Sequence, residues 1–364
     1  MRLHASTRDM PLRRPFVISA GAQASAHNAF VLLESEGHWG LGEGAPSKRV
    51  MGKGLGDVVR FLSSRARGLG PVGVADALGM ASQLASSVLE GTVETGPGPA
   101  ALDSALLDIA GRARGLTARE LLGLPVVGSL PTSITVSYGT PDDMAAEARQ
   151  HLRAGFAVLK VKLGREIIGV RRTLHALREV APRATVRVDA NEAWDLATAR
   201  KMLPLLERYE VELIEQPLPR GSVESMAELT RISGIPIVAD EMVQSSADIE
   251  LIGRDRLAHG VNIKLQKVGG LSAGARMAMR ARELGLRVMV GCFIESGVGI
   301  AAASQLLGVC DWADLDGHVL LDLNPVPGPP LEMGVVSAPP EPGLGHNATE
   351  LAARVLAGLE SSPV

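Results

Sequence analysis

Cysteine is scarce. Cys292 and Cys310 are the only two in 364 residues, too few for a disulfide framework, and neither has a cysteine or histidine partner at zinc-finger spacing. A reducing, cytoplasmic setting is therefore expected. Aromatic residues make up only 3% of the chain, so Val, Ile, Leu and Ala must fill the core, as at the sheet–helix interfaces of α/β proteins. No block of like charge stands out: 37 Lys+Arg against 40 Asp+Glu give a formal charge of −3, which leaves no electrostatic footprint for nucleic acid or an anionic membrane. Met1 to Met10 lacks the apolar run of a signal peptide, and no segment approaches the length of a membrane span. With 46% hydrophobic residues an intrinsically disordered chain is excluded, and a small molecule is the expected partner.

What is present is repetition. From Pro131 to Asp316 a short β-branched run ending in a polar residue is followed by a capped helical stretch and then by Gly or Pro. Strands are predicted at Ser133–Ser137, Ala157–Lys162, Thr185–Asp189, Val211–Glu215, Pro236–Asp240, Val261–Lys264, Arg287–Gly291 and Ala313–Asp316. Eight strands alternating with helices suit a closed parallel barrel; an open doubly wound sheet alternates in the same way, and spacing alone leaves it open. Thr140, Asp195, Ser222 and Ser272 are read as helix N-caps, and Thr117 with Glu120 as a capping box. Residues 1–125 read as a separate α+β domain, with short strands such as Ala29–Leu33 and turns at Gly37, Gly40, Gly42 and Gly44. The barrel takes 126–320, and 321–364 form a C-terminal segment returning to the first domain.

Lys162, Asp189, Glu215, Asp240 and Lys264 are separated by 27, 26, 25 and 24 residues, so one charge recurs at the same point of five successive βα units. In a barrel these points converge on the mouth where active sites lie. Three carboxylates without His or Cys suit a hard cation, Mg²⁺, that keeps positions free for substrate. Asn191 and Glu241 stand just beyond two of them as supporting groups. Lys162 and Lys264 bracket the acidic strands, the arrangement of two acid/base groups about one carbon. Lys160 shares the side-chain parity of Lys162, and its charge is expected to favour the neutral amine there.

These residues lie in Val158–Gly164 (VLKVKLG), Val188–Trp194 (VDANEAW), Ile214–Pro217 (IEQP), Ala239–Glu241 (ADE) and Asn262–Gly270 (NIKLQKVGG). The ordered set resembles the enolase superfamily, in the muconate lactonizing enzyme subgroup, over essentially the whole chain. The resemblance implies a modified TIM barrel, (β/α)7β, under an N-terminal α+β capping domain. It also implies Mg²⁺ on Asp189, Glu215 and Asp240, and Lys162 and Lys264, rather than Lys267, as the acid/base pair. Cys292–Glu295 (CFIE) supplies no histidine, which argues against the branch that uses a His–Asp pair.

Within the subgroup, Asp314-Leu315-Asp316 resembles the Asp-x-Asp motif with which dipeptide epimerases bind a substrate ammonium. The expected activity is inversion of the C-terminal α-carbon of a dipeptide by two-base 1,1-proton transfer through an enediolate. An o-succinylbenzoate synthase or muconate-type cycloisomerase on the same metal and lysines is the alternative, and a non-catalytic metal-binding barrel is a further one. Lys160 and Glu295 are expected near the substrate. The segment Pro15–Asn28 is expected to be the specificity loop, with Ile18 and Ala24 reading an apolar or small side chain because it lacks Lys and Arg, although Arg14, Lys48, Arg49 and Lys53 stand close in sequence. A homo-oligomer is expected.

Overall fold

The computed structural model describes residues 1–18, 21–66, 68–69, 72–126 and 129–359. Strands β1 (Arg2–Ile18) and β2 (Gly21–Ser35) form one long antiparallel hairpin, and β3 (His38–Gly44) pairs with β2 after a turn at Gly37, whose φ is +78°. The predicted short strand Ala29–Leu33 is thus the inner part of a 15-residue strand. Its outer half, Gly21–Gln23 and beyond, is exposed and built from small and polar residues, so it carries no apolar alternation. Pro15–Asn28 is accordingly the end of a hairpin rather than a loop; Ser19 and Ala20 lie outside the described residues.

Gly40, Gly42 and Gly44, expected in turns, are residues of β3. A Cβ at each would overlap the carbonyls of Ala105, Ala101 and Pro97, respectively, on the helix Pro97–Arg114. Missing side chains let the strand lie flat on that helix. By the two-residue period of a strand, Leu41 and Glu43 then face the other way, and Leu41 packs among Met10, Phe30, Val298 and Leu321.

The barrel strands are β4 (Ser133–Val136), β5 (Val158–Lys162), β6 (Thr185–Asp189), β7 (Val211–Glu215), β8 (Ile237–Ala239), β9 (Gly260–Lys264), β10 (Arg287–Gly291) and β11 (Trp312–Asp314). They are parallel and hydrogen-bonded in chain order. The first and last meet through a bridge between Thr132 and Ala313, and Leu315 N–H donates to Thr132 Oγ1 at 2.8 Å. The sheet closes, which excludes the open doubly wound alternative and gives seven βα units plus a last strand.

Thr140 and Asp195 cap their helices through the N–H of Asp143 and Thr198, and Thr117 with Glu120 makes the predicted capping box. Ser222 sits at an N-cap but makes no side-chain cap bond. Ser272 lies inside its helix instead: Gly270, at φ +126°, precedes the first turn, and Asp103 accepts the Ser272 N–H at 3.0 Å.

The C-terminal helix Glu350–Leu356 packs Ala353 and Leu356 against Met10, Ala26 and Phe30 of the hairpin. A second tie is buried. Asp108 accepts from Leu41 N–H (2.9 Å), Leu344 N–H (2.9 Å) and Arg112 Nε (3.1 Å), and lies 3.0 Å from His346 Nε2. Burial acts to raise its pKa, but the charges of His346 and Arg112 prevail and hold it at about 2.

Two outcomes follow. The folded pKa of Asp108 lies below its unfolded value, so its stabilisation is present above about pH 4 and is lost as pH falls toward 2. Urea unfolding should show the parent losing about 2 kcal/mol more than Asp108→Asn over that window; parallel pH profiles would remove this role. Gly42→Ala, forced against the helix backbone, should cost about 3 kcal/mol, read as a lowered unfolding midpoint.

Candidate active site

Strand register builds the site. Lys162 pairs with Asp189 and Asp189 with Glu215; Lys264 pairs with Gly291 and Gly291 with Asp314. Glu215 is level with Val238, so Asp240, two residues on, keeps the same inward parity just beyond β8. The charges predicted from spacing therefore form a ring at the C-terminal end of the strands, with Lys162 and Lys264 on opposite sides of the three acidic strands in sheet order.

All of these groups are buried, and they are paired. Lys162 Nζ donates to Asp189 Oδ2 (2.6 Å) and Lys264 Nζ to Asp240 Oδ2 (2.7 Å). Lys160 Nζ lies 2.7 Å from Asp314 Oδ2, 2.7 Å from Glu215 Oε2 and 3.3 Å from Asp189 Oδ2. Its charge is thus committed to three carboxylates and does not stand free beside Lys162. Burial acts to lower the Lys160 pKa, yet Asp314, Glu215 and Asp189 drive it well above its usual value. At Lys264 burial is likewise outweighed, chiefly by Asp240, and the pKa rises. Burial opposes ionisation of Asp189, but Lys162 and Lys160 hold it at about 2. Glu215 goes the other way, to about 7, through burial and the charges of Asp189 and Asp240.

Among the described residues no three His, Cys, Asp or Glu side chains are drawn into a ready-made metal cage; each of the three carboxylates instead has an oxygen on an ammonium group. The donor set still fits Mg²⁺. It is all oxygen and comes from three adjacent strand ends. Glu215 Oε2 is buried without a hydrogen bond of acceptable geometry, even though Lys160 Nζ is near. A carboxyl crowded by two like charges is a place where a divalent cation relieves repulsion.

Asn191, with φ +46°, donates its N–H to Asp189 Oδ1 (2.9 Å) and its Nδ2 to Asp189 Oδ2 (3.2 Å) and Glu241 Oε1 (3.3 Å). Glu241 is fully buried and accepts Arg49 Nη2 at 2.8 Å. Both supporting groups thus stand where the spacing put them.

A cavity of about 460 Å³ opens over the ring. Lys160, Lys162, Asp240, Lys264, Asp314 and Asp316 line its floor and walls; Phe16, Ile18, Ala22 and Gln23 of the hairpin tip, with Lys48 and Arg49, cover it. Ser133 Oγ donates to Asp314 Oδ1 (2.6 Å), and Thr135 N–H donates to Asp316 Oδ2 (2.8 Å). Asp316 has no ion pair among the described residues. Burial and the Asp314 charge raise its pKa, whereas Lys160 keeps that of Asp314 low against burial.

Two expected substrate contacts are corrected. Ala24 is exposed and does not line the cavity; on the hairpin strand that place belongs to Ala22 and Gln23. Glu295 is 2% exposed and lies behind the wall, accepting Phe293 N–H (2.9 Å) and Gln266 Nε2 (2.8 Å). Arg14 and Lys53 also stand away from the cavity, with Lys53 Nζ on Glu94 at 2.7 Å.

Several supporting residues gave no sequence signal strong enough to find them. Lys267 Nζ holds Asp240 Oδ1 at 2.5 Å, and Asn262 Nδ2 holds Glu215 Oε1 at 2.9 Å. Gln216 Oε1 accepts the N–H groups of Asp240 (2.9 Å) and Met242 (3.2 Å). Each falls inside a motif already noticed, at a position whose direction only the fold reveals.

Comparison with known proteins agrees with this geometry. Residues 143–352 match the family described as Enolase C-terminal domain-like, and residues 3–123 match the Mandelate racemase / muconate lactonizing enzyme N-terminal domain. A hydrophobic dipeptide epimerase from Roseobacter litoralis is 33% identical over 95% of this chain and 98% of its own length. The L-Ala-D/L-Glu epimerase of Escherichia coli is 34% identical over 87% of this chain and 93% of its own. The dipeptide epimerase of Enterococcus faecalis, solved with Mg and L-Leu-L-Tyr, superposes with a TM-score of 0.87 at 28% identity, covering 95% of this chain and 98% of that one. That of Methylococcus capsulatus, solved with Mg and L-Arg-D-Lys, gives 0.85 at 32%, covering 94% and 98%. With both halves of the architecture matched in order along one chain, this protein belongs to the mandelate racemase / muconate lactonizing enzyme family of the enolase superfamily.

Proposed function

We propose that the protein is a Mg²⁺-dependent dipeptide epimerase that inverts the α-carbon of the C-terminal residue. The observation that carries this reading is the juxtaposition, in one cavity, of Lys162 and Lys264 on either side of the Asp189–Glu215–Asp240 strands, with Asp316 on the same wall as Asp314 and without an ion pair among the described residues. The relatives' dipeptide activities support it.

The α-proton of a carboxylate is very weakly acidic because its loss puts a second negative charge on the group. A divalent cation held by Asp189, Glu215 and Asp240 supplies Lewis-acid stabilisation of that charge, worth several kcal/mol. The chain supplies the protons. One lysine, as the neutral amine, takes the α-proton from its own face, and the opposite ammonium returns a proton to the other face. The carbon inverts and the two lysines exchange protonation states, to be reset by solvent. Asp316, with one oxygen on Thr135 N–H, accepts the substrate ammonium; Asp314, already bound by Lys160 and Ser133, fixes the wall beside it. The lyase or cycloisomerase alternative is not favoured, since it leaves the Asp316 carboxylate without a ligand. Residues 1–125 act in this scheme as the cap and 321–364 as the tie that fastens it to the barrel. The two free thiols accord with a cytoplasmic setting.

Lys162→Ala and Lys264→Ala should each abolish inversion while leaving α-proton exchange in D₂O with one epimer only, a different epimer for each; inversion by either variant refutes the two-base scheme. Asp316→Asn should raise KM about 10- to 100-fold, the worth of a charge-assisted hydrogen bond, with a smaller effect on kcat. An N-acetylated dipeptide, lacking the ammonium, should be indifferent to that substitution; an equal loss on it would displace Asp316 from the ammonium site. Chelation should remove activity, and Mg²⁺ should restore it.

A further inference from the structure

Each of the two lysines is faced by an aromatic ring. Lys162 Nζ lies 5.5 Å from the Phe16 ring centroid and Lys264 Nζ lies 5.1 Å from that of Phe293. The two rings are held differently. Phe16 belongs to the hairpin tip, pinned where Tyr138 N–H donates to Val17 O at 2.9 Å. Phe293 opens the turn Phe293–Ser296, which leads from β10 into the helix Gly297–Ser304.

That turn is held by one hydrogen bond within it and by several from outside. Phe293 N–H donates to Glu295 Oε1 (2.9 Å), Ile294 O accepts Asn28 Nδ2 (3.0 Å), and Glu295 Oε2 accepts Gln266 Nε2 (2.8 Å). Ser296 is held by Glu43, whose carboxylate accepts its N–H (2.9 and 3.0 Å) and its Oγ (2.6 Å). Glu43 also accepts Gly299 N–H (3.0 Å) and Asn28 Nδ2 (2.7 Å), while Glu43 O and Ala45 N–H both bind the Gln266 side chain (3.1 and 2.9 Å). Glu43 is 1% exposed and makes no ion pair among the described residues. Burial pushes its pKa up, and the donors of Ser296, Asn28 and Gly299, at and beside the first turn of the helix where the dipole favours an anion, act against that rise. The glycines on either side of it press β3 onto the helix Pro97–Arg114 and so aim Glu43 across at the barrel.

We infer that Glu43 is a positioning residue for the Lys264 half of the site: it fixes the Phe293–Ser296 turn, and through the Phe293 ring it sets where the Lys264 ammonium stands. The inference rests on the two-base reading above. It makes the two halves of the reaction separately vulnerable, one through Phe16 and one through the Glu43-held turn.

The test is α-proton exchange with retention, measured in D₂O for each epimer of a dipeptide that the intact protein epimerises. Lys162→Ala and Lys264→Ala assign each epimer to its lysine. Glu43→Gln, which sets an amide N–H₂ against the Ser296 and Gly299 donors, should slow the Lys264-dependent exchange roughly tenfold and leave the Lys162-dependent exchange within about twofold, the scale expected of a displaced cation–π contact. Phe293→Leu, which leaves the carboxylate network in place, should show the same asymmetry even where Glu43→Gln does not fold. Phe16→Leu should show the reverse. Equal slowing of both exchanges, or none, in Glu43→Gln and Phe293→Leu overturns the inference while leaving the epimerase reading intact. Absence of any exchange by the unaltered protein sinks the reading and the inference together.

Discussion

Burying charge is the constraint on which this structure turns. Six carboxylates (Asp189, Glu215, Asp240, Glu241, Asp314 and Asp316) and four lysines (Lys160, Lys162, Lys264 and Lys267) lie within one end of the barrel, nearly inaccessible to water. A buried ion without a partner costs several kcal/mol, against a total stability of about 5–15 kcal/mol for an ordinary domain, so the set is tolerable because its members pair or, like Asp316 on Thr135, are hydrogen-bonded with a raised pKa. Lys160 is the clearest case. From the second barrel strand, one layer below the mouth, it reaches Asp314 on the last strand, Glu215 and Asp189, and so draws four strands into one charge network. The same pairing explains why Asp189 and Glu215, neighbours in register, are pushed in opposite directions. Asp189 has two ammonium groups beside it; Glu215 shares Lys160 with other carboxylates.

Barrel closure and active-site chemistry share residues. Ser133 and Thr135 on the first strand meet Asp314 and Asp316 on or just past the last, so the groups that suit an ammonium ligand also seal the sheet. A substitution there acts on the fold and on the site at once. For this reason Asp316, bound to the first strand through Thr135, separates the two roles better than Asp314, which also carries Lys160.

The barrel was legible in the sequence because the strands repeat one rule, apolar residues yielding to a polar group at the C-terminal end, which in five successive units is a charge. Five charges at steadily shrinking intervals gave the ring, and the structure brings them together at one end of the barrel. The first 125 residues were less legible for a physical reason. A half-exposed hairpin needs few apolar residues, so β1 left little trace, and strand glycines mimic turn glycines until the helix they press against is known. Reach was the other weak point. Ala24 shares the parity of Ala22, so separating them requires knowing how far along the hairpin the cavity extends, and placing Glu295 behind the wall requires knowing the path of the turn after β10. Lys267 shows the same limit from another side: only the fold shows that it reaches back to hold Asp240 from below while Lys264 faces the cavity.

The division between cap and barrel follows from what each can hold rigidly. The strand ends, locked by parallel pairing and buried ion pairs, carry the groups whose positions must be set to a fraction of an ångström. The hairpin tip carries Ile18, Ala22 and Gln23, which line the cavity, and Phe16, whose ring faces Lys162. A cap that merely rested on the barrel would leave the cavity roof loose. Here Glu43 reaches into the first turn of a barrel helix and Asn28 into the turn before it, so the cap is joined through hydrogen bonds that water cannot easily replace. The hairpin that carries the roof and the turn that faces Lys264 are therefore joined through Asn28 and Glu43 by one buried polar network, and a change made at the hairpin has a physical route to one of the two lysines.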